Sequence, residues 1–225
     1  MPSKPIKGLE YDHASLYPHT DTLSSSQILT AYDDPTGNDF FWQYVMGKRQ
    51  PETQAMFLGK VFSANYADRK LNGLKMLRER KIAPKRLYNE FKVGLDMLPV
   101  IPKRYCEYPI ICDYQGWKFR ATLDAYYEPR NTNIENKTGM TLWTQERADY
   151  SKQITCQNWI KYILDGDVFD DNLLQWLDFR AWTATTGKEQ QVQVFHTKRT
   201  IEQVLEFQKI VDEVIKQVDK VSKWI

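Results

Sequence analysis

The chain has 225 residues, 42% of them hydrophobic, 27% charged and 13% aromatic, and a formal net charge of +2. That is enough for one good-sized core and short for two, so a single domain over residues 1–225 is expected, with residues 1–50 as an amino-terminal helical extension. The near-neutral charge neither demands nor excludes a polyanionic partner. The opening MPSKPIKGLEYDHASLYPHT lacks the apolar stretch of a signal peptide, and no apolar run approaches the ~18 residues that cross a bilayer, so a cytoplasmic protein without a membrane partner is expected.

In chain order, LSSSQILTAYDDP offers serines suited to a helix N-cap and a short apolar run ending near Pro35. After the Pro-Thr-Gly-Asn turn, Phe40, Phe41, Trp42 and Tyr44 predict a second short helix with its rings on the core. From Glu52 to about Arg78, Met56, Phe57, Val61, Phe62, Tyr66 and Leu71 recur as on one face of a long helix. The segment Arg69 to Lys92 is crowded with cations, among them Lys81, Lys85 and Arg86. Taken alone, it reads as a solvated surface before it reads as a phosphate-binding one.

From Tyr108 the pattern becomes extended. YPIICDYQGWKFRATLDAYYE contains two β-rich runs joined at Tyr-Gln-Gly, as in a hairpin, and a third run, NTNIENKTG, follows Pro129-Arg130-Asn131. A helix is expected from about Thr141 to Leu164, then extended runs in LLQWLDFRAWTAT and QQVQVFHT. A final amphipathic helix from Thr200 to Trp224 carries Ile201, Val204, Leu205, Val211, Val214, Ile215, Val218 and Val221. Cys106, Cys112 and Cys156 form neither an even framework nor a CxxC pair, so they read as idle or buried thiols.

One constellation carries chemistry. In the TLDAYY strand, alternation places Arg120, Thr122, Asp124 and Tyr126 on one face, and strand interiors are depleted in aspartate. In the next strand Glu135 and Lys137 are two apart and share a face, with Ile134 turned the other way. A surface ion pair is worth only ~0–1 kcal/mol and does not call for a neighbouring Asp124. If the strands pair, both carboxylates and the ammonium converge on a site for a hard divalent cation, Mg²⁺ or Mn²⁺, held by Asp124, Glu135 and the backbone carbonyl of Asn136. Lys137 would orient a water and offset charge developing on a phosphate.

The order Asp124, then Glu135-Asn136-Lys137, then a helix carrying Gln153, resembles the PD-(D/E)XK nuclease superfamily. Within it, LSSSQIL, DDP, FFWQYVMGK and MFLGKVF resemble the RecB-like and RecE-like phage exonucleases, over roughly Leu23 to the end. The resemblance implies a restriction-endonuclease-like α/β fold, with a mixed central sheet flanked by helices. It also implies a metal-dependent DNA exonuclease of phage recombination or DNA processing, in a bacterial or phage-infected host cell. Asp124, Glu135, Lys137 and Gln153 would be its catalytic residues, and Gln157 stands where related sequences often have tyrosine. A homo-oligomer and a single-strand annealing partner are further family habits. Where the family presents a histidine four residues after the MFLGK glycine, Gly59 is here followed by Ser63, and a hydroxyl is a poor substitute for imidazole.

With that reading, the Arg69–Lys92 segment would face DNA. Arg120 is equally suited to a phosphate and to an ion pair. Trp143 lies at the mouth implied by the Lys137 strand and the Gln153 helix; its alternative is the core. The rival readings are a DNA-binding recombination accessory protein that keeps the fold with little activity, favoured by Ser63, and an endonuclease acting on branched or single-stranded DNA.

Overall fold

The hairpin expected at Tyr114-Gln115-Gly116 organises the computed structural model, which describes residues 22–45, 53–69, 75–76, 79, 92–139, 141–178 and 192–222. Gln115 and Gly116 both take positive φ, 50° and 80°, as a two-residue turn matched to the twist of its strands requires. The turn joins β2 (Cys106–Tyr114) to β3 (Trp117–Tyr127), paired antiparallel from Tyr114↔Trp117 to Cys106↔Ala125. The 3-10 turn Glu128–Arg130, with Asn131 left-handed at φ 43°, then leads into β4 (Thr132–Gly139).

Among the described residues six strands make one mixed sheet. The first, β1 (Thr22–Ser24), runs parallel to β3. Next to β4 come β5 (Asp171–Asp178), parallel to it, and β6 (Val192–Thr197), antiparallel to β5. Because β2 fills one edge of β3, β1 and β4 share the other. β1 pairs with Lys118–Arg120, and β4 pairs only with Ala125–Tyr127. Ala121 to Asp124 therefore have no ladder partner on that edge, and the sheet forks there.

Among the described residues, the helices that flank the sheet include α1 (Ser25–Asp33), α2 (Gln54–Ala67), α3 (Gln145–Asp149), α4 (Lys152–Asp165) and α5 (Ile201–Ser222). Helices α1, α4 and α5 cover one face around Leu23, Ile28, Phe119, Trp159 and Val211, while α2 covers the other with Leu58, Phe62 and Tyr66 on Ala125, Ile134 and Leu177. The three cysteines are free and buried. Among the described residues no helix is long and apolar enough to cross a membrane.

The serine-capped helix before Pro35 and the helical aromatic stretch are present with refined bounds, and other expectations need correction. LSSSQIL begins in strand β1, and Ser24 then caps α1 in a capping box with Gln27. The aromatic stretch is one helical turn, Asn38–Phe40, continuing as a π-helical turn over Phe41–Val45. Helix α2 stops at Ala67 instead of near Arg78. There Lys103 pairs with Asp68, and Arg69 donates to the carbonyls of Leu95 and Pro99, which ties the chain to the 95–103 segment. The single helix expected from Thr141 to Leu164 is two, broken at Tyr150-Ser151, where Ser151 caps α4. In α5 the buried stripe is Val204, Phe207, Val211, Val214, Ile215 and Val218. Ile201 and Leu205 are exposed, since Leu205 lies ~100° round the helix from Val204.

Candidate active site

The register sorts the side chains of β4. Ile134 packs under α2 with Ala125 and Leu177, so Asn133, Glu135 and Lys137 project from the opposite face, toward α4. Helix α4 presents Gln153 and Gln157, one turn apart, to that face. Glu135 is 4% exposed and both its oxygens are engaged. Oε1 accepts from Lys137 Nζ at 2.6 Å and from Gln153 Nε2 at 2.7 Å; Oε2 accepts from Gln157 Nε2 at 2.8 Å. Lys137 Nζ also donates to Gln153 Oε1 at 2.5 Å, so Glu135, Lys137 and Gln153 close a triangle in which each touches the other two.

Asp124 enters through the fork. Its Oδ2 accepts the backbone N–H of Asn136 at 2.6 Å, the donor that a continued β3–β4 ladder would have used. In an extended strand the N–H and C=O of one residue point to the same edge, so the Asn136 carbonyl also faces Asp124. Burial and the nearby Glu135 carboxylate push the Asp124 carboxyl up to about 8, against the opposing pull of the Asn136 N–H and the Lys137 ammonium. The two carboxylates thus lie close enough to compete for charge, and below about pH 8 a proton on Asp124 offsets the repulsion between them. Among the described residues no group of three or more His, Cys, Asp or Glu is gathered as a metal cluster.

Asp124, Glu135, Asn136, Lys137 and Gln153 are therefore brought together. Arg120 is exposed on β3, in register with Ser24 and Ile111 and about 13 Å along the strand from Asp124. Trp143 packs on Ile154, Leu174 and Trp176, and Trp176 is the β5 neighbour of Lys137; the Arg147 guanidinium lies 4.3 Å from its ring centroid. Lys81, Lys85 and Arg86 lie outside the described residues. Ser63 is half-buried on α2, one turn after Gly59, whose missing side chain allows close approach: a Cβ there would stand 3.2 Å from Thr138 Oγ1 on β4.

Two sets of contacts near the site escaped sequence reasoning, although the family resemblance singles out Gln157 itself. Behind Glu135, the amides of Gln157, Asn133, Asn172 and Asn158, all 0% exposed, bond to one another. Asparagines at otherwise apolar strand positions were the available signal. Arg199, 4% exposed, donates to the carbonyls of Ala148 and Ser151, to Thr155 Oγ1 and to Thr197 Oγ1, fastening the break between α3 and α4. A lone arginine before a helix gave no sign of that.

No protein-family profile matches the chain, and no curated protein matches it. Among solved structures, the chain is similar to a protein from Eubacterium rectale described as a "putative exonuclease", with TM-score 0.58 and 11% identity over 96% of this chain and 86% of that one. A second structure, SSO0001, matches with TM-score 0.41 and 11% identity over 92% of this chain and 80% of that one. At such identity the first likeness is one of fold: a mixed α/β sheet flanked by helices, as the sequence led us to expect.

Proposed function

We propose that the protein is a metal-dependent DNA nuclease, and that it is an exonuclease of phage recombination or DNA processing. The observation that carries this reading is the convergence of Asp124, from the fork, with the Glu135–Lys137–Gln153 triangle. The fold likeness to the Eubacterium rectale protein supports it.

The donor set fits a hard cation. Oxygen ligands from two adjacent carboxylates suit Mg²⁺ or Mn²⁺, which keeps waters and shares the substrate phosphate. Asp124, Glu135 and the Asn136 carbonyl would hold it. When bound, the cation supplies Lewis acidity toward the scissile phosphate and lowers the pKa of the attacking water. The remaining work falls to side chains. An ammonium has three N–H donors; Glu135 and Gln153 take two of those on Lys137, leaving one for the water or for a phosphate oxygen as its charge grows. Gln153 fixes the ammonium by accepting from it while donating to the same carboxylate oxygen. Arg147, stacked on Trp143 beside Trp176, and exposed Arg120 would meet the DNA backbone.

Ser63 in the place of the family's histidine favours a second reading, a DNA-binding accessory protein that does not cut. Incubation with covalently closed circular and linear DNA in Mg²⁺ separates the possibilities. We expect linear DNA to be converted to nucleotides while circles survive. Cut circles would indicate an endonuclease, and intact DNA that still shifts in a gel would indicate the accessory protein.

A further inference from the structure

We infer that Gln157 is a positioning residue for Glu135, kept in one orientation by a relay of buried amides that ends on backbone groups. The inference rests on the reading of Asp124 and Glu135 as cation ligands. Gln157 Nε2 donates to Glu135 Oε2 at 2.8 Å, while its Oε1 accepts from Asn133 Nδ2 at 2.8 Å. Asn133 Nδ2 spends its second hydrogen on Asn172 Oδ1 at 3.1 Å, which also accepts from Asn158 Nδ2 at 2.8 Å.

A side-chain amide can turn end for end, exchanging donor for acceptor. Here the far ends forbid it. The backbone N–H of Phe169 only donates, so the group facing it at 3.2 Å must be Asn158 Oδ1; this turns Asn158 Nδ2 to the Ile154 carbonyl and to Asn172. The backbone carbonyl of Thr197 only accepts, so the group facing it at 3.2 Å must be Asn172 Nδ2, and Asn172 Oδ1 is left to face Asn158 and Asn133. Asn133 must then present its NH₂, Gln157 must accept with its oxygen, and the Gln157 NH₂ is turned to Glu135. The sense of every bond follows from two backbone groups on the 169 loop and on β6, and the relay ends as a donor aimed at one oxygen of the candidate cation ligand.

Such a donor fixes the carboxylate plane. Lys137 and Gln153 hold Oε1 from the open side, and Gln157 holds Oε2 from within, so Glu135 cannot rotate about its Cγ–Cδ bond without breaking a buried hydrogen bond. Partners of this kind behind a metal ligand typically govern affinity by ~10–100-fold.

Calorimetric titration of Mn²⁺ into the full chain without DNA tests this, using wild type, Gln157→Met and Asn172→Leu, each with its thermal melt. Gln157→Met keeps the side-chain length and removes the donor; we expect Mn²⁺ affinity to fall about tenfold or more. Asn172→Leu leaves Gln157 in place but releases its orientation, with an expected loss of about threefold. Wild-type affinity in folded Gln157→Met overturns the inference and leaves the nuclease reading standing. If that variant does not fold, unchanged affinity in Asn172→Leu overturns it instead. A wild type that binds no Mn²⁺ removes the cation site and the inference with it.

Discussion

The Asp124 carboxylate takes the backbone N–H of Asn136 at 2.6 Å, in the fork where β3 has left β4. This contact brings an acid from one strand against the Glu135-Asn136-Lys137 run of the next, and it holds that acid half-buried beside Glu135. Burial and the second carboxylate raise its pKa to about 8, from the usual ~4 of an unfolded chain. The native state then holds a proton that the unfolded state has released throughout the interval between those values, so the metal-free protein loses stability as pH rises from about 4 to about 8. We predict a melting temperature lower by several degrees at about pH 8.5 than at about pH 5, and a flatter profile in Asp124→Asn. Saturating Mg²⁺ should raise the melting temperature more at the higher pH, because the cation no longer competes with a proton. A melt in which the two variants show the same pH slope contradicts the burial argument.

Arg199 should matter more than its distance in sequence from the site implies. Its guanidinium satisfies the Ala148 and Ser151 carbonyls at the break that starts α4, and α4 carries Gln153. Arg199→Met strips these buried acceptors of their partner, and about 3 kcal/mol of stability should be lost in chemical denaturation. Arg199→Lys should recover less than half, since an ammonium with three N–H donors cannot serve the five acceptors the guanidinium reaches. A loss under about 0.5 kcal/mol would show the break to be held by other contacts.

The approach of α2 to β4 depends on Gly59. Alanine gains about 1 kcal/mol in helix propensity, but its Cβ would meet Thr138 Oγ1 at 3.2 Å, so Gly59→Ala should be close to neutral in thermal melts. Gly59→Leu has no room on that face and should cost several kcal/mol. One turn on, Ser63→His restores the imidazole found in the resembling exonucleases, and calorimetry should show tighter Mn²⁺ binding than wild type. Unaltered affinity would mean that this position does not reach the cation.

Much of this was legible in the residues. The turn residues Gln115 and Gly116 located the hairpin, and period-two alternation set Glu135 and Lys137 on one face. Gln153 came from the family resemblance, which puts a glutamine on the helix after the lysine strand. The fork was not legible, because alternation along β3 cannot show that β1 and β4 divide one edge of it between them. Nor was the end of α2 at Ala67. The apolar spacing continues to Leu71, and the stop is made by Asp68 and Arg69 bonding to a segment some 30 residues away. The amide relay was hidden for a similar reason: Asn133, Asn158 and Asn172 have no shared spacing and meet only once the strands and α4 are assembled.

The central claim is that the Asp124–Glu135–Lys137 group cleaves DNA, and a time course on 5′- and 3′-labelled linear duplex and single-stranded DNA tests it most directly. It would be run with Mg²⁺, Mn²⁺ or EDTA, and beside Lys137→Ala. The account predicts release of label by the wild type with either cation, none in EDTA and none from Lys137→Ala, with the label lost first giving the polarity. DNA left intact under both cations, or cut equally well by Lys137→Ala, would contradict it.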